Sequence, residues 1–464
     1  MTLRYRSFIG ESRDFIERFI SSIREDRELA RHAAAVMLAH VKSLDSLGLI
    51  PRESFNRVAE ILKRVVKSEG EDLYKWIEEN NLQFEDVFEA LEAYLYRETG
   101  EHAGYIALGR SRNDHVATTL RLVARDYLIE ILSRLLELRE NLIRKSLEYR
   151  DTLFLFFTHQ QLAQCGSAAQ YFISYSHTMS VLSDLFFRSL DLLNENPLGS
   201  GAAAGSLIDL DRELIARNLC LNNAVIPPYY ATGSRLFLIY LLSLITLLLA
   251  ELSRFAEDMI FINSLTPESL RPSEEHIATS SIMPHKRNLV TMELVRAKSS
   301  KIIGFLAGAL STYSSIPYGY NLDLQELNRL FIDSVREAIE IIKIISDFIH
   351  SLRIDREAVE RFIDRKPCWS SEVVEYISLR DKKPAREIYF YVARIIGDLA
   401  SSESHATLDK ILSSTDLNTL IKSKPVERYI ERLLEEHKSC LERDKTRLES
   451  VIERVNNCFK ELIS

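Results

Sequence analysis

The chain has 464 residues and a net charge of −8, with 46% hydrophobic and 27% charged residues, the balance of an ordinary globular protein. That length exceeds one ordinary core and predicts two or three domains, while an acidic chain with no basic face excludes nucleic acid as an expected partner. The five cysteines, Cys165, Cys220, Cys368, Cys440 and Cys458, are scattered and form no Cys-x-x-Cys pair. This pattern predicts neither a disulfide framework nor a metal site, and it fits a reducing, cytoplasmic setting.

Only 15 Gly and 11 Pro punctuate the chain, too few for a fold of strands and hairpins, so an all-α architecture is expected. Met1 to Phe15 contains no apolar run, and no signal peptide is expected. Residues 1–98 read as an N-terminal helical domain, broken near Pro51 and again from Glu78 to Gln83. From Thr118 to about Lys145, apolar residues recur at Leu120, Val123, Leu128, Ile131, Leu135, Leu138 and Leu142, the spacing of one long helix. Further long helices are predicted over 163–194, 234–265, 289–313 and 324–352. Helices of this length enclose a core only by lying side by side, so residues 99–353 read as a central bundle. Leu236 to Ala250 is apolar throughout but falls short of the about 20 residues a bilayer requires. It reads as a helix buried on all sides, and no membrane segment is expected. Beyond Arg353, Pro367, Pro384 and Pro425 divide a C-terminal helical domain, 354–464, whose charged tail from Val426 reads as a solvated outer helix.

Three polar segments interrupt the helices and carry more chemistry than connectors need. Gly109-Arg-Ser-Arg-Asn-Asp114 precedes the first long helix. A helix N-terminus with a guanidinium suits a carboxylate, although Ser111, Asn113 or Asp114 could simply cap the helix beside solvent-exposed arginines. Phe157-Thr-His-Gln-Gln-Leu-Ala-Gln164 is read as opening the next helix. There Thr158 could cap or bind an oxygen, and His159 could move a proton near neutral pH or serve a structural role. Thr279-Ser-Ser-Ile-Met-Pro-His-Lys-Arg-Asn288 leads into a helix that carries Glu293. A serine becomes a base only where cations and dipoles stabilise its alkoxide, and Lys286 can also stabilise a developing anion. A basic surface loop is the plainer alternative, but the spelling is too specific to favour it.

That spelling resembles the fumarase and aspartase superfamily signature G-S-S-x-M-P-x-K-x-N-P. Tyr320-Asn-Leu-Asp-Leu-Gln-Glu326, together with Arg110-Ser-Arg-Asn-Asp114, the Thr-His-x-Gln-x-Ala-Gln pattern of 158–164 and Asn196-Pro-Leu-Gly-Ser-Gly201, resembles the argininosuccinate lyase family. Ala39-His40-Val41 and Pro384-Ala-Arg-Glu387 fall in the same register.

The resemblance implies an elimination that releases fumarate and arginine from argininosuccinate without metal or organic cofactor. Under it, Ser280 is the base, Lys286 and Asn288 stabilise the dianion, and His159, paired with Glu293, relays a proton to the leaving nitrogen. Ser111, Arg112, Asn113 and Thr158 hold the fumarate-side carboxylates, and Tyr320, Gln325 and Arg235 contact the arginine side. The family also implies a homotetramer with a twenty-helix core and active sites shared between subunits. Departures from the family pattern are Ala33, Met37, Phe88, Ala107, Thr279, Leu289, Asn328, Pro227 to Tyr230 and Tyr389. They fall mainly among groups that bind substrate. Two alternatives therefore stay open: another fumarate-releasing lyase, such as an adenylosuccinate type, or a non-catalytic structural protein on this scaffold.

Overall fold

The computed structural model describes residues 13–222, 226–363, 366–397 and 417–464. The N-terminal part contains α1 (Asp14–Ile20), α2 (Ala30–Ser46), α3 (Arg52–Lys67), α4 (Glu71–Glu79) and α5 (Val87–Thr99). In α2 the small residues Ala33, Ala34 and Ala35 are fully buried, which lets neighbours approach on every side. In α3, Val58, Leu62, Val65 and Val66 make one apolar stripe against that core. The Asp86 carboxylate starts α5 by accepting the Glu89 backbone N–H at 2.8 Å.

The bundle follows: α6 (Arg112–Glu148), α7 (Ala168–Leu193), α8 (Arg212–Leu219), α9 (Pro228–Gly233), α10 (Leu236–Leu265), α11 (Val290–Ser314) and α12 (Leu324–Ser351). Next come α13 (Arg356–Ile363), α14 (Ser370–Asp381), α15 (Ala385–Gly397), α16 (Leu417–Lys422) and α17 (Pro425–Ile463). The long helices α6, α7, α10, α11 and α12 pack side by side, as their apolar periodicity predicts. A continuous apolar core runs from Leu29 to Leu462. Six short strands complete the described chain: β1 (Leu153–Thr158) pairs with β2 (Gln161–Ser167), β3 (Leu270–Arg271) with β6 (Arg353–Ile354), and β4 (Ala278–Thr279) with β5 (Arg287–Asn288), all antiparallel.

Four expectations require correction. Residues 157–164 do not open a helix; they form the upper half of the β1–β2 hairpin, and α7 begins only at Ala168. The C-terminal tail is not solvated all round. One face of α17, including Ile430, Leu434, Leu441 and Leu448, is buried against α2, α6, α7 and α8. Nor is α10 covered on all sides, because Leu236, Tyr240 and Leu247 form a stripe that is 49%, 38% and 54% exposed. Although α10 is long and apolar enough to cross a membrane, most of it is enclosed by α7, α11 and α12. Finally, folding brings four of the scattered cysteines together as two disulfides, Cys165–Cys368 and Cys220–Cys458, with Cα separations of 5.6 and 5.8 Å. Cys440 is the free cysteine.

Candidate active site

The candidate residues collect at the two ends of the bundle. At one end lie the starts of α6, α10 and α12. Ser111 caps α6: its side chain accepts the Asn113 N–H at 3.2 Å, and its own N–H donates to Asp114 at 3.0 Å. This is a capping box, so the capping reading holds for Ser111 and Asp114. The second carboxylate oxygen of Asp114 accepts the N–H groups of Gly199 and Gly201 at 3.1 and 2.9 Å. Burial raises the Asp114 pKa to about 6 despite those bonds. Gly201 has φ +60°, and a Cβ there would lie 2.5 Å from the Gly205 carbonyl, so only glycine fits this loop. Asn113 donates to the Ala202 carbonyl at 3.1 Å, fixing the same loop over the helix start.

The arginines of this segment are not simply solvent-facing. Arg110 is buried, ion-paired with Glu92 and hydrogen-bonded to His115. Arg112 pairs with Glu85 at 3.3 Å and Asp86 at 3.2 Å. A cavity of about 360 Å³, lined in part by Arg18, Ser21, Arg24, Glu85 and Glu89, opens beside these carboxylates. Phe88 packs edge-on against His115 at 4.8 Å, and Ala33 and Met37 are wholly buried. Three of the departures from the family pattern are therefore core positions here.

Arg235 lies behind this surface. Its guanidinium is fully buried, donates to the Thr232 and Ser234 carbonyls at 3.1 Å, and sits 6.0 Å from the Tyr320 ring. Burial lowers its pKa to about 10. Burial also raises that of Tyr320, which lies within electrostatic reach of Arg235, Asp86, Arg112 and Glu85. Close contact of the Gly233 and Tyr318–Gly319 backbones holds Arg235 and Tyr320 together, because a Cβ on Gly233 would meet the Tyr318 carbonyl at 2.2 Å. Gln325 follows in the first turn of α12, half-buried. Beneath them Arg121 stacks on Phe237 at 4.2 Å and pairs with Glu195, which also accepts the Tyr230 hydroxyl.

At the other end, β1 and β2 present Thr158 and His159 at the tip of a hairpin. Its two central residues, His159 and Gln160, have φ +52° and +57°. This is the left-handed twist a two-residue turn demands, normally met by Asn-Gly. The hairpin base, Leu153 to Leu155, is buried, and Phe157 packs on Phe261 of α10 at 5.1 Å. The second loop rises between β4 and β5. Ser280 accepts the N–H groups of Ile282 and Met283 at 3.4 and 3.2 Å. Donors aimed at its oxygen favour the alkoxide. Lys286 is exposed, Asn288 half-buried in β5, and Glu293 exposed in the first turn of α11. Within one chain His159 and Glu293 are not hydrogen-bonded to each other among the described residues.

Helix α10 measures the separation. Arg235 stands at its start and Phe261, against the His159 hairpin, near its end; at 1.5 Å rise per residue these lie about 40 Å apart. Helix α11 returns antiparallel, since its Tyr313 hydroxyl meets Ser234 at 3.2 Å, so the Ser280 loop at its start shares the hairpin's end. One chain thus carries Ser111, Arg112, Asn113, Arg235 and Tyr320 at one end and Ser280, Lys286 and His159 at the other. Sequence reasoning overlooked Glu85, Asp86, Glu92 and Glu195 as counter-ions. Their partners lie far away in sequence, and no local spacing marks them.

Residues 8–304 match a family model described as lyase. The chain is 34% identical to an argininosuccinate lyase of Pyrococcus furiosus over 457 residues, covering 97% of this chain and 98% of that one. It is 36% identical to an argininosuccinate lyase of Sulfurisphaera tokodaii, covering 83% of each chain. A third, from Pyrobaculum neutrophilum, is 37% identical, covering 86% of this chain and 90% of that one. Among solved structures, an EDDS lyase in complex with formate superposes with a TM-score of 0.79 at 18% identity, covering 94% and 90% of the two chains. A class II fumarase from Schistosoma mansoni superposes at 0.68 with 16% identity, covering 84% and 91%. At those identities the structures establish the all-α lyase fold.

Proposed function

The chain belongs to the argininosuccinate lyase family, and from that premise we propose that it cleaves L-argininosuccinate to L-arginine and fumarate in arginine biosynthesis. The single observation that carries the reading is 34–37% identity to three argininosuccinate lyases over 83–97% of the chain, combined with an intact Ser280-Ser-x-Met-Pro-x-Lys286-x-Asn288 loop.

In this reading Ser280, its oxygen held by two backbone N–H donors, removes the proton next to a substrate carboxylate. Lys286 and Asn288 stabilise the aci-carboxylate dianion that results. The C–N bond then breaks, and His159, backed by Glu293, delivers a proton to the leaving nitrogen. Ser111, Arg112, Asn113 and Thr158 hold the carboxylates of the fumarate portion. Tyr320 and Gln325 face the arginine portion, and Arg235 acts from beneath Tyr320. No metal or organic cofactor enters the reaction.

Two half-sites about 40 Å apart along one helix call for further copies to meet each other. The uncovered apolar residues Leu236, Tyr240, Leu247, Leu294, Ile303 and Leu310 on α10 and α11 provide surfaces for that assembly. A homotetramer with shared active sites joins the halves and buries these residues, and it is expected in the cytoplasm. Disulfides are rare in intracellular proteins but not absent from them, so the two bridges do not exclude that location.

The test follows fumarate by ultraviolet absorbance after argininosuccinate is added to the purified protein. Wild type should release it, and Ser280→Ala should lower kcat by about 10²–10⁴. No fumarate from a folded, assembled wild type would sink the assignment and turn attention to adenylosuccinate and other fumaryl amines.

A further inference from the structure

The β1–β2 hairpin is held at its base and free at its tip. Its strands pair regularly from Leu153↔Ser167 to Phe156↔Gln164; the register then slips at Ala163 before Phe157↔Leu162 and Thr158↔Gln161. Polar ties to the C-terminal segments fall on residues 164–167, below that slip. Gln164 donates to Ser371 at 3.0 Å and to Glu372 at 3.3 Å. Lys424 donates to the Cys165 carbonyl at 2.7 Å and pairs with the buried Glu372. The Ser167 N–H donates to Glu427 at 3.1 Å. The covalent tie sits among them: Cys165 in β2, joined to Cys368 just before α14, with both residues 1% exposed. Above the slip, Thr158 to Gln161 are exposed. With β1 seated on α10 through Phe157 and Phe261 at 5.1 Å, the polar ties and the bridge fix the β2 strand, and any rotation of that strand at its base is passed on to the tip.

We propose that the Cys165–Cys368 disulfide positions His159, making Cys165 and Cys368 positioning residues for proton transfer. This rests on the reading of His159 as the group that handles the leaving-group proton. The second disulfide supplies the comparison. Cys220–Cys458 joins the residue after α8 to α17, near the end of α7 opposite the hairpin, where the Asn222 N–H donates to the Asn194 carbonyl at 2.6 Å.

Two variants separate positioning from stability, each assayed at a temperature where its fold is intact by circular dichroism. Cys165→Ala/Cys368→Ala should lower kcat tenfold or more, since misplacement by about 1 Å can cost 10²-fold. Cys220→Ala/Cys458→Ala should lower the melting temperature by several degrees and leave kcat at the wild-type value. Where the first double variant does not fold, Cys368→Ala opens the same bridge and leaves the hairpin sequence untouched. The decisive measurement repeats the change in a His159→Ala background, where opening the bridge should bring no further loss because one step has already been removed. Unchanged kcat in the Cys165→Ala/Cys368→Ala enzyme, or an equal further loss on the His159→Ala background, overturns the proposal. If His159→Ala itself leaves kcat unchanged, the underlying role of His159 fails instead, a distinguishable result.

Discussion

Asp26 illustrates what burial does to a single carboxyl. It accepts from the Ser22 hydroxyl at 2.8 Å and the Val87 N–H at 3.2 Å, yet desolvation, with the neighbouring Asp86 charge, raises its pKa to about 7. Between about pH 4 and pH 7 the folded chain therefore keeps a proton that the unfolded chain has released. Stability contributed by this group is present in acid and falls as pH rises through that window. Asp26→Asn should flatten the fall: urea midpoints should converge near pH 5 and favour the variant near pH 8. Parallel curves for the two proteins would contradict the assignment. Legibility at this scale followed chemistry that is local in sequence. The serine, lysine and asparagine of 280–288 announce themselves by spacing alone, and the Ser111–Asp114 capping box is local too. The Arg112 pairing with Glu85 and Asp86 crosses from α6 to the α5 start, and no window of sequence contains it.

The long helices were visible because apolar residues repeat at helical spacing over many turns, which is why α6, α10, α11 and α12 fall near their predicted limits. The hairpin was hidden for two reasons. Phe154 to Phe157 and Leu162 to Ala163 run into the pattern of α7, and the turn uses His159-Gln160 where Asn-Gly is the usual signal. A left-handed backbone costs a non-glycine residue roughly 1–2 kcal/mol. Gln160→Gly should therefore stabilise the protein by about 1 kcal/mol and leave activity near wild type, whereas His159→Asn should ease the same turn and lower kcat sharply. Thermal melts paired with initial rates check both variants. A Gln160→Gly protein no more stable than wild type would show that the turn is unstrained. The disulfides were equally unreadable, because Cys165 and Cys368 are 203 residues apart and Cys220 and Cys458 are 238 apart, distances closed only by the tertiary fold.

For the molecule as a whole, α11 bears most directly on the proposed assembly. It buries Met292, Val295, Ser299, Ile302 and Ala309 against its own chain and leaves Leu294, Ile303 and Leu310 about half exposed. Apolar side chains on several faces of one helix suit burial from more than one direction, as the proposed assembly requires. Leu247→Glu/Ile303→Glu should give smaller particles in light scattering, with helicity retained and fumarate release lost. An active variant of reduced size would show that one chain completes its own site. The sequence suggested a fully enclosed α10, whereas this chain leaves a stripe of it open, because apolarity records a tendency to be buried without naming what covers it.

The order of the bridged cysteines has a consequence for how the chain can be cut. Along the sequence the bridges interleave, 165 then 220 then 368 then 458, so the two covalent rings overlap. Any single break in the backbone between residues 165 and 458 falls inside at least one ring, and the two pieces stay joined. Limited proteolysis that cuts once within this span should leave one full-length band on a gel run without reductant. The same sample should resolve into two fragments once dithiothreitol is added. From residue 165 onward the polypeptide is a line by synthesis and, almost to its end, a network by bonding.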